Sequence, residues 1–217
     1  MKRTLLILSL MLFALGGCNF EKFHKTSGSG KMKLEKRDLP AFTAVDISGA
    51  YDVEIIAQKE QGLEIEGDDN LLPLIRTEVK NGVLTVSNQK GFDTKHTLRL
   101  RISLPKIDSI STSGASEIVA TQVKSDDFNI DASGAGNMQI SGETKTLKVD
   151  ISGAGKVDAR DLRAQGVTIT ISGSAEADVY ASEELRAAVS GSGNVSYYGD
   201  PKTVKEEMSG SGSISKK

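Results

Sequence analysis

A Ser-Gly dipeptide that returns at nearly constant spacing constrains this chain more than any other feature. Its glycines are Gly49, Gly114, Gly134, Gly153, Gly173, Gly191 and Gly210, and after the first interval they follow at 20, 19, 20, 18 and 19 residues. A short, steady period signals a solenoid, because each unit is too small to bury its own apolar side and must stack on the next. Counted back from the glycine, positions two, four and six are apolar in most copies: Phe128, Ile130, Ala132; Leu147, Val149, Ile151; Val167, Ile169, Ile171; Leu185, Ala187, Val189. Period two marks a strand. Four and six residues past the glycine the pattern resumes, as Met138 and Ile140, Val157 and Ala159, Ala177 and Val179, Val195 and Tyr197. Each repeat therefore reads as strand, Ser-Gly bend, second strand and polar turn, the turns falling at residues 142–145 and 200–202. Stacked about 4.8 Å apart, such units form parallel ladders over a continuous apolar core. The expected fold is all-β, a β-solenoid with 18–20 residues per coil.

Residues 34–105 depart from the period. The segment Asp46-Ile47-Ser48-Gly49-Ala50 looks like a first coil, yet 65 residues separate Gly49 from Gly114, so something is inserted. The inserted pieces are strand-like: 51–57, 62–66, and 75–80 joined through Asn81-Gly82 to 83–87, a strong hairpin signal. A turn of helix is expected over 69–72, before Pro73. Leu98-Arg99-Leu100-Arg101-Ile102 alternates and should have one wet, basic face. Together these predict a β-rich region that caps the first coil and shields its edge. At the far end Ser213-Ile214-Ser215-Lys216-Lys217 is polar and lysine-tipped, which blunts the other edge.

The first 17 residues read as a secretory leader. Lys2 and Arg3 precede an apolar stretch of about eleven residues, against roughly 20 for a membrane span. Leu15-Gly16-Gly17-Cys18 resembles the bacterial lipobox, which makes Cys18 the expected site of lipid attachment. Two or more acyl chains anchor a protein durably, at about 0.8 kcal/mol per buried methylene. Asn19 after the cysteine favours the outer membrane of a Gram-negative cell by analogy with known sorting, facing the periplasm or the surface. Cys18 is the only cysteine, so no disulfide supports the fold and packing must suffice. Residues 18–33, Gly/Ser-rich with no apolar period, read as a flexible tether. Loss of the leader takes the formal charge from -2 to -4 and leaves no basic run but Lys216-Lys217, which argues against nucleic acid as a partner. The division is thus leader 1–17, tether 18–33, N-terminal strand and hairpin region 34–105, and repeat solenoid 106–217.

The lipobox, AFTAVDISGAYDVEI, GLEIEGDDNLLPLI, TEVKNGVLTVS and the train of SGAG and SGSG units together resemble the putative auto-transporter adhesin head GIN domain family of bacterial envelope proteins, from about Lys33 to Lys217. The resemblance implies a right-handed parallel β-helix and an adhesin-like role, and it brings no catalytic residues.

Candidate chemistry is sparse. The Gly-x-Gly pairs recur once per coil and none opens a helix, so they are bends rather than dinucleotide loops. Asp158 and Asp178 stack on adjacent coils and could share a calcium ion, although the slot a β-roll gives to aspartate holds Met138, Val157 or Ile214. Asp131 and Asp150 also stack, near the roughly 5 Å carboxyl separation of retaining glycosidases, with Lys148 as a natural salt partner for them. His24 and His96 are the only histidines, too few for a metal cluster or a histidine-based triad. Tyr180, Tyr197 and Tyr198 could present aromatic surface, with Tyr197 falling in an inward column. The expectation is a non-enzymatic, cofactor-free, lipid-anchored envelope protein that binds a glycan or another envelope protein or serves envelope architecture. The competing expectation is a carbohydrate-active enzyme built on stacked carboxylates.

Overall fold

The computed structural model describes residues 25–217. Cys18 and His24 lie outside them. In chain order the strands are β1 (Thr26–Ser27), β2 (Met32–Arg37), β3 (Ala44–Gly49), β4 (Asp52–Ala57), β5 (Gly62–Asp68), β6 (Ile75–Lys80), β7 (Val83–Asn88), β8 (Phe92–Asp93), β9 (Arg99–Leu104), β10 (Ser109–Gly114), β11 (Glu117–Gly134), β12 (Asn137–Gly153), β13 (Lys156–Gly173), β14 (Glu176–Gly191), β15 (Asn194–Tyr198), β16 (Thr203–Gly210) and β17 (Ser213–Lys216). They form a β-solenoid of about five turns.

The repeat glycines set the register. Gly49, Gly114, Gly134, Gly153, Gly173, Gly191 and Gly210 pair in one column, each with φ between +116° and +144°. A Cβ at Gly134 would run into the carbonyl oxygen of Gly114. Glycine is required twice over there, by backbone angle and by the closeness of the rung beneath. The bend leaves its own hydrogen bonds satisfied across rungs, as in Ala135 N to Gly114 O at 2.9 Å and Ala154 N to Gly134 O at 2.9 Å.

The inward columns are those the sequence indicated: Phe128, Leu147, Val167 and Leu185 are fully buried, as are Ile130, Val149 and Ile169. The polar turn expected over 142–145 is instead part of the ladder. Gly142, Glu143 and Thr144 pair with Val123, Lys124 and Ser125 on one side and with Leu162, Arg163 and Ala164 on the other. In β13 the buried residues are Val157, Ala159, Leu162, Ala164, Val167, Ile169 and Ile171. Steps of two run along a face and the two steps of three turn a corner, so each coil has three inner faces. The middle face is too short for a period of two to show. Residues 200–202, by contrast, form no strand.

The region before Gly114 caps the stack, as expected, but by a route the sequence does not show. β3 and β4 make a rung against β10 and the start of β11. The chain then leaves, and β7 and β9 return to add a further rung on the outer side of β3 and β4. Antiparallel partners cover that rung, β6 on β7, and β5 on β9 with β2 beyond. Asn81 and Gly82 both take positive φ, +52° and +76°, in the β6–β7 turn. The helical turn falls at Leu72–Leu74, later than expected, with Pro73 inside it. Proline fits the first turn of a helix because its missing N–H would have no partner there.

Residues 26–33, placed in the tether by composition, join the cap. β1 pairs with β8, and β2 pairs with β5 from Met32 onward. The buried Asp68 carboxylate accepts the Gly30 N–H and the Thr94 hydroxyl, each at 2.5 Å. Those bonds, the Thr94 hydroxyl foremost, hold its carboxyl below the ordinary range, and exposed His96 adds to the effect with Nδ1 at 3.7 Å. Arg37 then fastens β2 to the helical turn, donating to Leu72 O at 2.9 Å, Ile75 O at 2.6 Å and Thr77 Oγ1 at 3.0 Å.

Candidate functional site

Outward-facing side chains form columns along the solenoid, and shallow clefts lie between the columns. The stacked aspartates fall in two different places. Asp131 and Asp150 are register partners on the face that carries the serine column, in line with Asp46, Ser111 and Thr170. Lys148 Nζ lies 2.6 Å from Asp150, and the pairing raises the lysine's own pKa. Burial pushes the Asp46 carboxyl up, but Ser111 separates it from Asp131. The cleft here, about 360 Å3, is walled by serine, threonine and aspartate.

Asp158 and Asp178 are likewise register partners. Each is taken up by a cation of the chain. Arg160 grips Asp158 with Nε at 2.9 Å and Nη2 at 2.5 Å, holding its carboxyl below the ordinary range. Lys156 bridges Glu176 at 3.3 Å and Asp178 at 3.5 Å. Among the described residues no group of three or more His, Cys, Asp or Glu side chains is placed to hold a metal ion. The Gly-x-Gly pairs sit at the bends of a ladder and open no helix.

Tyr197 is an inward residue at 9% exposure. Tyr180 and Tyr198 are register partners on the outside, and each carries an arginine over its ring: Arg163 Cζ is 4.2 Å from the Tyr180 centroid and Arg160 Cζ is 5.7 Å from that of Tyr198. The three tyrosines are therefore not one patch. One packs in the core, and two brace arginines.

Two clefts were not visible in the sequence. The first, about 480 Å3, lies where the cap meets the repeats and is lined by Leu34, Val119, Asp52, Glu117, Arg99 and Arg101 among others. Leu34 and Val119 are 53% and 42% exposed, so this cleft opens large apolar side chains to water. Arg101 bridges Glu54 at 2.8 Å and Glu64 at 3.5 Å. Lys36 foremost, and Arg101 after it, keep the Glu64 carboxyl low. The second cleft, about 580 Å3, follows the middle face past Lys124, Lys145, Arg163, Gln165 and Tyr180. Alternation did reveal the wet basic face of β9, where Arg99 and Arg101 are exposed and Leu98, Leu100 and Ile102 are buried. It could not reveal which acids would face those arginines, because these come from β4 and β5.

Solved structures share this architecture. A protein described as a putative adhesin from Bacteroides fragilis matches with a TM-score of 0.75 at 24% identity, over 88% of this chain and 99% of that one. A putative adhesin from Parabacteroides merdae matches with a TM-score of 0.58 at 21% identity, over 89% and 99% of the two chains. A protein described as a putative lipid binding protein from Parabacteroides distasonis matches with a TM-score of 0.54 at 22% identity, over 89% and 100%. At such identities the likeness establishes the fold alone. No curated protein matches the sequence. The family described as putative auto-transporter adhesin, head GIN domain, matches residues 41–201, which takes in the capping rungs and the repeats through Gly191. With most of its length inside that match, the chain belongs to this family.

Proposed function

We propose that the chain is a non-catalytic binding protein of the bacterial envelope, held by lipid on Cys18 at the outer membrane and presenting the faces of its solenoid to a partner. The observation that carries this reading is the fate of the stacked carboxylates. Lys148, Arg160 and Lys156 occupy Asp150, Asp158 and Asp178 from within the same or the neighbouring rung. Acids committed in this way stiffen a presented surface, and their charge is engaged by the chain's own cations. Family membership points the same way.

The anchor has a geometric consequence. Lys25 lies seven residues beyond Cys18, so the lipid is at most about 25 Å of extended chain from the cap. The capped end then stays near the membrane, and the repeat faces project from it. The test compares wild type with Cys18→Ala in detergent fractionation and in protease treatment of intact cells. Wild type should fractionate with the membrane and the variant should be released. A variant that stays with the membrane would overturn the anchor. Cleavage of wild type on intact cells would place the repeats outside, whereas resistance until the outer membrane is opened would place them in the periplasm.

A further inference from the structure

We infer that the groove along the middle face is a binding site for an acidic oligosaccharide, lying parallel to the solenoid axis with a uronate carboxylate on Arg163. The inference rests on the binding role proposed above and names its ligand class. Two columns wall the groove. Lys124, Glu143, Arg163 and Tyr180 are register partners on one side, and Asp126, Lys145, Gln165 and Ser182 line the other. The column between them points inward and is made of small residues, Ser125, Thr144, Ala164 and Ala181, so the floor is backbone. Successive strands about 4.8 Å apart and a two-residue gap along each strand set the two columns about 7 Å apart over four rungs, so a ligand lying along the axis meets both columns.

The charges in the trough are not equivalent. Lys124 is tied to Glu143 at 2.9 Å and Lys145 to Asp126 at 2.9 Å. Because Lys124 holds Glu143, the neighbouring Arg163 forms no ion pair among the described residues, and it is held instead over the Tyr180 ring, 4.2 Å from its centroid. A guanidinium fixed in this way loses little freedom when it grips a carboxylate with two parallel hydrogen bonds. Gln165 and Ser182 supply the amide and hydroxyl groups that sugar hydroxyls need. The exposed large hydrophobic side chains of the described protein are Met32, Leu34, Val119, Val204 and Met208, and none lines this groove. A peptide would find no pocket for an apolar side chain there, whereas a glycan needs none.

The experiment is calorimetric titration of the full chain with tetramers of galacturonate, glucuronate and mannuronate, with a methyl-esterified tetramer and with tetraglutamate. At least one uronate should bind, with the ester and the peptide weaker by about tenfold or more. Arg163→Ala should weaken binding about tenfold or more, and Tyr180→Ala should weaken it less while leaving the melting temperature near that of wild type. Arg186→Ala, on another face and paired with Glu184 at 2.8 Å, should change nothing. Failure of all three uronates, equal binding of tetraglutamate, or indifference to Arg163→Ala would each overturn the assignment. None of those outcomes touches the membrane fractionation of Cys18→Ala, so the broader binding role is judged separately.

Discussion

The cap before Leu104 and the repeats after Ser109 share one ladder and one core yet are stabilised in different ways. In the repeats a residue's environment is set by its place in the period. Gly134 sits on Gly114 as Gly153 sits on Gly134, and Leu147 sits on Phe128 as Val167 sits on Leu147. In the cap each important side chain has its own partner: Arg37 binds the carbonyls of Leu72 and Ile75, Asp68 binds Gly30 and Thr94, and the Tyr51 hydroxyl binds Asn88. Burial pushes that phenol up to about 12. A periodic stack buries apolar surface merely by repeating, whereas its end has no next rung and must satisfy its polar groups by specific contacts.

The sharpest way to test this contrast is one substitution made in both regions. Gly134→Ala should cost about 3 kcal/mol or more, from positive-φ strain plus collision with the backbone of Gly114. Gly82→Ala, at φ +76° with nothing within 4 Å of the new methyl, should cost about 1 kcal/mol. Denaturant melts of the pair measure both, and equal losses would mean that the glycine column is not what sets the stack.

Next in size is Arg37→Ala, which removes the three hydrogen bonds that fasten β2 to the helical turn and to β6 and should cost about 2 kcal/mol. Its effect should be local. Hydrogen exchange should quicken in β2 and β6 and stay slow in β12 and β13. Uniform quickening would show that cap and repeats unfold as one unit.

The smallest effects are pH-dependent and of opposite sign. Asp68 has a lowered folded pKa, so its contribution is present above the unfolded value near 3.8 and is lost as the pH falls through the folded one. Asp46 has a raised folded pKa, so stability is greatest below 3.8 and declines as the pH rises through the folded value. Melts between pH 3 and 7 should therefore show Asp68→Asn destabilised at neutral pH with the deficit shrinking in acid. Asp46→Asn should be slightly stabilised at neutral pH, with the gain vanishing in acid. Parallel curves for the two variants would refute the assignment of these groups to a bonded cap site and a half-buried ladder site.

Much of this was legible beforehand, for identifiable reasons. The Ser-Gly spacing and the period-two columns located the ladder, and Asn81-Gly82 located the hairpin, because each is a local pattern with one good structural solution. The middle face is not legible in the sequence because two inward residues between two corners offer too few positions for alternation to register. Residues 26–33 read as tether because Gly30 and Ser29 look like linker residues until Asp68, Asp69 and Asn70 arrive beside them from the far side of β5. The repeat spacing places the Asp pairs on adjacent rungs, but only the assembled surface shows that Arg160 turns back onto Asp158 and Lys156 reaches across to Asp178.

By itself, then, the sequence determined the solenoid, its coil length, its bends and its inward columns, since steric and hydrophobic periodicity act between near neighbours and repeat at every rung. Tertiary structure alone decided the order of the capping rungs, the clefts, and which charges are spent on each other. Those depend on residues such as Arg101 and Glu64, or Arg163 and Tyr180, that become neighbours only when strands distant in the chain are laid side by side.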